Sequence, residues 1–254
     1  MGIFITVTNN RTVNLVALKI FTLGFNRHNK DSELFILVPQ NQIDVQCLNY
    51  FKNEKCQVIE YKYKDTDDPY YVKLIISQFI NNMSNDQIIT YLDPDHLVFS
   101  QMFFDNIRNN EILVSSEKNH SKFLHYNTSL ISGKKTDLIK VTNFWQEEYH
   151  KIVKSVNYRY REEIAFSNSA KRANVNIRRV SIKTQSSFSE FNEKSILFHY
   201  GGEYEQSKVI KNYLSNPFSD ENVNSILDPQ KTIPDLIRRN LLFNLTYIWR
   251  DLWH

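Results

Sequence analysis

The chain predicts an α/β fold in which short apolar strands form a sheet flanked by helices. Three observations predict it. Apolar, β-rich runs at residues 2–8, 34–39, 57–61 and 88–92 alternate with segments of helical periodicity. The run Leu34-Phe35-Ile36-Leu37-Val38-Pro39 is apolar at every position. Such a strand is buried on both faces, which favours a parallel sheet. The strand–helix order repeated to a fourth strand points to a doubly wound half.

Each element has its own signal. Asn9-Asn10 breaks the first strand, and Val13, Val16, Ile20 and Leu23 recur at helical spacing over residues 12–25. A weaker helix covers 43–53 before the third strand. Residues 65–69 form a loop, and Pro69 opens a helix through Asn82, because proline suits a first helical position. After the fourth strand, residues 97–107 read as a strand or turn followed by a short helix. Strands follow at 111–116 and 124–132, the latter ending at Gly133. Helices cover 136–156 and 161–173, and strands 175–182 and 196–199. Residues 215–231 read as a loop and 233–254 as a last amphipathic helix. No internal repeat or low-complexity linker interrupts the chain. The partition is a domain at 1–214, with halves at about 1–95 and 96–214, and an extension at 215–254.

Composition excludes several classes. Lys+Arg 31 against Asp+Glu 28 gives +3, too balanced for bulk nucleic-acid binding. Cys47 and Cys56 lack a nearby histidine pair, which argues against zinc and for free thiols in a reducing compartment. The start Met1-Gly2-Ile3-Phe4 lacks the charged region and cleavage site of a signal peptide. No apolar run reaches the roughly 18 residues a membrane helix needs. These readings place the chain in the cytoplasm. Tryptophan and arginine on the last helix (Trp249, Trp253, Arg238, Arg239, Arg250) leave two roles open for it. It packs on its own domain or a second copy as a homodimer, or it rests peripherally on the inner membrane face.

The chemistry concentrates at Asp93-Pro94-Asp95, directly after the strand 88–92. Open α/β sheets bind ligands at the carboxyl ends of their strands. Two carboxylates there suit Mg²⁺ or Mn²⁺, which take oxygen ligands and share them with substrate phosphates. The ordinary reading of Asp-Pro is a turn opener. Asn127-Thr128-Ser129 offers short polar side chains to hydroxyls, or simply marks a strand becoming a turn. Glu162 and Glu163 open a helix, where carboxylates complement the dipole. Adjacent helical side chains point about 100° apart, so one of the pair faces a site; Glu163 is the choice. His199-Tyr200-Gly201-Gly202 ends an apolar strand. Paired glycines admit a phosphate, and a neutral imidazole can ligate Mn²⁺. Lys208, a few residues on, could neutralise a phosphate, and Lys73, in the helix before the carboxylate strand, ordinarily reads as a solvated helix lysine.

In this order the segments resemble the GT-A glycosyltransferases, in particular the glycogenin and galactosyltransferase-like retaining group, family 8. The segments are Thr6-Val7-Thr8, Lys73, Asp93-Pro94-Asp95, Asn127-Thr128-Ser129, Glu162-Glu163, and His199-Tyr200-Gly201 with Lys208 after. The likeness runs over about residues 1–208. Asn127-Thr128-Ser129 lacks that group's glycine, and Glu162-Glu163 stands where it has Asp-Gln-Asp. The resemblance implies a GT-A type, Rossmann-like mixed sheet flanked by helices, with a C-terminal helical extension. It implies a hexosyltransferase using a nucleotide-sugar donor, a UDP-sugar first, and a glycan, lipid-linked or protein hydroxyl acceptor. Asp93, Asp95 and His199 would hold Mn²⁺ or Mg²⁺. Lys73, Lys208, Gly201 and Gly202 would meet the phosphates. Thr6, Thr8 and Asn9 would line the base pocket, and Asn127 and Glu163 would face the sugar, with Glu163 a base if the reaction inverts. Two rivals stay open: a GT-A-like binding module without catalysis, and another Asp-x-Asp enzyme of nucleotide or phosphate transfer.

Overall fold

Apolar runs buried on both faces need hydrogen-bonding neighbours on both edges, and the central strands have them. β1 (Ile3–Val7) is buried at every position and lies between two parallel partners, β2 (Glu33–Pro39) and β4 (Ile88–Leu92). The computed structural model describes residues 2–8, 12–41, 43–54, 56–62, 71–83, 87–104, 106–116, 125–152, 160–187 and 192–199. They fall into two units. One comprises Met1–Arg11, Asp31–Pro94 and Phe103–Val180; the other Thr12–Lys30, Asp95–Met102 and Ser181–His254. The expected extension 215–254, with its loop and helix, lies outside the described residues.

Among the described residues the first unit holds a seven-stranded mixed sheet. Its order is β3 (Gln57–Tyr61), β2, β1, β4, β7 (Leu130–Lys134), β6 (Glu111–Val114) and β8 (Asn176–Arg179). β7 runs antiparallel to both β4 and β6, and β8 is parallel to β6. One face follows a period of two, with Ile3, Ile5, Phe35, Leu37, Ile89, Ile112, Val114 and Ile131 in a single core. Packed in that core are Ile76 and Ile80 of α3 (Ile76–Asn81), Val141 and Trp145 of α4 (Lys135–Ile152), and Ala165 and Phe166 of α5 (Arg161–Arg172). Fully burying each such side chain contributes about 1.5–3 kcal/mol. α2 (Val45–Asn53) starts where the Asp44 carboxylate accepts from the Gln46 amide at 2.7 Å.

The second unit holds α1 (Thr12–His28) and a three-stranded sheet, β5 (His96–Val98), β10 (Leu197–His199) and β9 (Gln185–Ser187) in that spatial order. β10 is antiparallel to β5 and parallel to β9, which pairs His199 with His96 on one side and Ser187 on the other. α1 packs on β5.

Several expected boundaries move. The strand expected to end at Gly133 runs through it. A Cβ there would sit 3.1 Å from Ile112 Cγ1 and 3.2 Å from Leu138 Cγ, so glycine is what lets α4 approach the sheet. The short helix expected within 97–107 is absent among the described residues. Its backbone donors go elsewhere: Phe99 N–H to the Ile196 carbonyl at 2.9 Å, and Met102 N–H to Asn29 Oδ1 at 2.9 Å. The helix expected from Pro69 is a 3₁₀ turn at Tyr71–Ile75 running into α3. β8 is shorter than expected at both ends, with the closing turn of α5 before it and a turn after it in which the Thr184 N–H donates to the Ser181 carbonyl at 2.9 Å. Asn174 adopts φ 53° beyond α5, and the Val175 N–H reaches back to the Ala170 carbonyl at 3.0 Å. Among the described residues no helix is long and apolar enough to cross a membrane.

Candidate functional site

The sheet order reverses direction between β1 and β4. β2 and β3 lie beyond β1, and β7, β6 and β8 beyond β4. These two strands run parallel with Ile5 opposite Tyr91, so both end at one sheet edge. That edge of an open α/β sheet is its ordinary ligand-binding place. Thr8 follows β1 there; its N–H donates to the Leu37 carbonyl at 3.1 Å and its carbonyl accepts from Tyr61 Oη at 3.4 Å. Thr6 lies deeper in β1 and is wholly buried. Asn9, Gly201, Gly202 and Lys208 lie outside the described residues.

Asp93 follows β4, its N–H tied to the Ser129 carbonyl at 2.8 Å. The Lys73 ammonium donates to Asp93 Oδ2 at 2.9 Å and to Glu162 Oε1 at 2.8 Å. Its distance to Thr128 Oγ1 is 3.4 Å. Thr128 donates to the Glu162 carboxylate at 2.6 Å, and Tyr91 Oη donates to Asp93 Oδ1. This lysine is therefore a buried ion-pair partner rather than a solvated helix residue. Burial acts to lower its pKa, but Asp93 first and Glu162 second outweigh that and hold it above the ordinary lysine value. Glu162 goes the other way from a normal carboxylate. Burial raises it, Lys73 opposes, Glu163 adds to the rise, and the result is about 7. The two directions agree physically: one ammonium faces two carboxylates, it keeps its proton, and the deeper carboxyl bears the cost.

The two glutamates of α5 part as the helical turn requires. Glu162 joins Lys73, and Glu163 Oε2 lies 2.9 Å from His125 Nε2. The rotation is held from α4, where Trp145 Nε1 donates to the Glu162 carbonyl at 2.9 Å and its ring meets Phe166 edge-on. Asn127 Oδ1 accepts from the Ser129 N–H at 2.9 Å, closing a small turn ahead of β7.

The second unit has a cluster of its own. His199 Nε2 lies 3.3 Å from Asp95 Oδ1. Behind it His96 stacks on the His199 ring, with centroids 4.8 Å apart and planes 25° from parallel. His96 is in turn bonded to the Gln185 amide at 2.7 Å.

Sequence reasoning passed over Tyr91, His96, His125 and Gln185, and it named Lys73 and Glu162 without the pairing that joins them. Tyr91 carried a usable signal, being two residues before Asp93 and so on the same strand face. His96 had only its place beside Asp95. Gln185 and His125 had none, since their partners are far away in the chain.

No family model matches the chain, and no curated protein matches it. Solved structures do share its fold. The galactosyltransferase LgtC, crystallised with donor and acceptor sugar analogs, superimposes with a TM-score of 0.57 at 7% identity, covering 88% of this chain and 95% of that one. An active-site mutant of LgtC gives 0.57 at 8% identity over 79% and 87%. The glycosyltransferase GlyE of Streptococcus pneumoniae TIGR4 gives 0.60 at 12% identity, covering 88% of this chain and 63% of that one. The chain thus has the GT-A glycosyltransferase fold, a mixed α/β sheet with flanking helices, as its motif order led one to expect.

Proposed function

We propose that the protein is a metal-dependent glycosyltransferase that moves a sugar from a nucleotide-diphosphate sugar, UDP-linked first, to a hydroxyl acceptor. The observation that carries this reading is the carboxylate pair at the switch point, with Asp93 ending β4 and Asp95 paired to His199. Two carboxylate oxygens and an imidazole nitrogen form a donor set suited to Mn²⁺ or Mg²⁺. Asp93, Asp95 and His199 would hold the ion. Bound there, it would act as a Lewis acid toward the departing diphosphate.

The chain's own groups do the rest. Lys73 holds Asp93 in place and brings a positive charge to the β4 end. Lys208 and the Gly201-Gly202 backbone cover the phosphates. Thr8 and Asn9, after β1, would line the base pocket, with Thr6 wholly buried in the strand. Asn127 and Glu163 face the donor sugar, with His125 orienting the Glu163 carboxylate. Hexose transfer is the expected subclass, on a glycan, lipid-linked or protein acceptor.

The test is thermal stability with a panel of nucleoside diphosphates and nucleotide sugars, with and without Mn²⁺. A ligand at about 100 times its Kd adds roughly 2.7 kcal/mol. The reading expects a shift for one base that needs metal and vanishes in Asp95→Ala. No shift with any nucleotide overturns it in favour of a binding module.

A further inference from the structure

We infer that His96, fixed by Gln185, is a positioning residue that sets the plane of the His199 imidazole for metal binding. This rests on the metal role proposed for His199. The lone pair of an imidazole nitrogen lies in the ring plane, so the angle of that plane aims it. Two of the contacts of His199 within its own unit bear on its plane. Its Nε2 faces Asp95 Oδ1 at 3.3 Å, and one ring face lies against His96 at a centroid distance of 4.8 Å.

His96 can serve as a fixed surface because it is itself held. It sits on β5 directly opposite His199 on β10. Both His96 and Gln185 are wholly buried. The amide of Gln185, from β9, meets His96 Nε2 at 2.7 Å. One hydrogen bond at the ring edge stops rotation about the Cβ–Cγ bond, whichever partner donates. A position that only needed filling would take a leucine or valine, which brings no polar atom to satisfy. Here a buried imidazole is retained, and a second buried polar side chain is supplied to satisfy it. The outcome is a layered arrangement of amide, ring and ring that ends at the proposed ligand nitrogen. Metal-ligating histidines commonly depend on such outer partners for orientation.

The experiment measures Mn²⁺ affinity by calorimetric titration of the whole chain with the metal alone, and the melting temperature of the metal-free protein. Removing one partner would strand the other, so the variants change both. In one, His96→Leu and Gln185→Leu remove the ring and the amide together, an exchange that can be nearly neutral for folding. In the other, His96→Phe and Gln185→Leu keep an aromatic face. The first pair is expected to weaken Mn²⁺ binding about tenfold or more, and the second to recover most of the loss, at similar melting temperatures. Equal affinities in both variants, whether normal or lost, overturn the inference, since the aromatic face then does nothing for the ligand. His199→Ala separates this from the underlying reading. Wild-type Mn²⁺ affinity that His199→Ala leaves unchanged removes the metal role itself, and the positioning role with it.

Discussion

Lys73 donates to Asp93 and Glu162 at 2.9 and 2.8 Å in the first unit, whereas in the second unit Asp95 faces the imidazole of His199 at 3.3 Å. The first cluster neutralises itself. Its ammonium is bracketed by carboxylates, with Thr128 and Tyr91 donating to the same acids. The second pairs a carboxylate with an imidazole, and backs the ring with another ring and an amide. The side chain of Asp95 is 28% exposed, that of Glu162 2%. Neighbouring acids on one strand end therefore differ in use. Asp93 is anchored by a cation of the chain, and Asp95 is arranged with a ligand-type nitrogen. The contrast teaches that one carboxylate after β4 is tied to a lysine of the chain, while the other keeps an imidazole partner and partial exposure.

The largest expected break comes from Lys73→Met. It leaves two acids without their cation in a buried place, and urea unfolding should show a loss of about 3–5 kcal/mol. If the loss is below about 1 kcal/mol, the first cluster is not the structural one. Next comes Trp145→Phe, which keeps the ring packing but removes the indole donor from the Glu162 carbonyl, leaving that carbonyl its helical bond. About 0.5–1.5 kcal/mol should disappear in the same measurement.

A pH series sharpens the electrostatics. Glu162 has its folded pKa raised to about 7 from the ordinary 4.5, so the folded state holds its proton more tightly than the unfolded chain. Its stabilisation is complete below about pH 4.5 and is lost as pH rises through about 7. Glu162→Gln cannot titrate. The difference in unfolding free energy between wild type and this variant should therefore shift against wild type over that window. A difference constant with pH would mean Glu162 is ionised throughout.

The smallest effect is expected at the other cluster. Asp95→Asn, at a partly exposed side chain paired with a histidine, should change stability by about 1 kcal/mol or less. A cost as large as that of Lys73→Met would erase the distinction between the two clusters.

Much of the fold was legible because it is written in local patterns. Leu34 to Pro39 declared a doubly buried strand, and the four strand–helix alternations predicted the parallel core that β3, β2, β1 and β4 form. The carboxylate pair at the end of β4 was legible for the same reason: an apolar run ending in Asp-Pro-Asp is contiguous. Boundaries were weaker wherever a distant partner set them. Gly133 looked like a strand end until Leu138 was seen to need its missing side chain. A short helix within 97–107 looked plausible until Asn29 and Ile196 were seen to take the amides of Met102 and Phe99.

By itself, then, the sequence determined the fold class, the acidic end of β4 and the candidate ligands Asp93, Asp95 and His199, since periodicity and short motifs act between chain neighbours. Only the tertiary structure decided which glutamate of α5 meets Lys73, because the rotation of that helix depends on a Trp145 hydrogen bond from α4. It alone set His96 on His199 and Gln185 on His96, because strand register is settled by pairing between segments far apart in the chain, where no local pattern can reach.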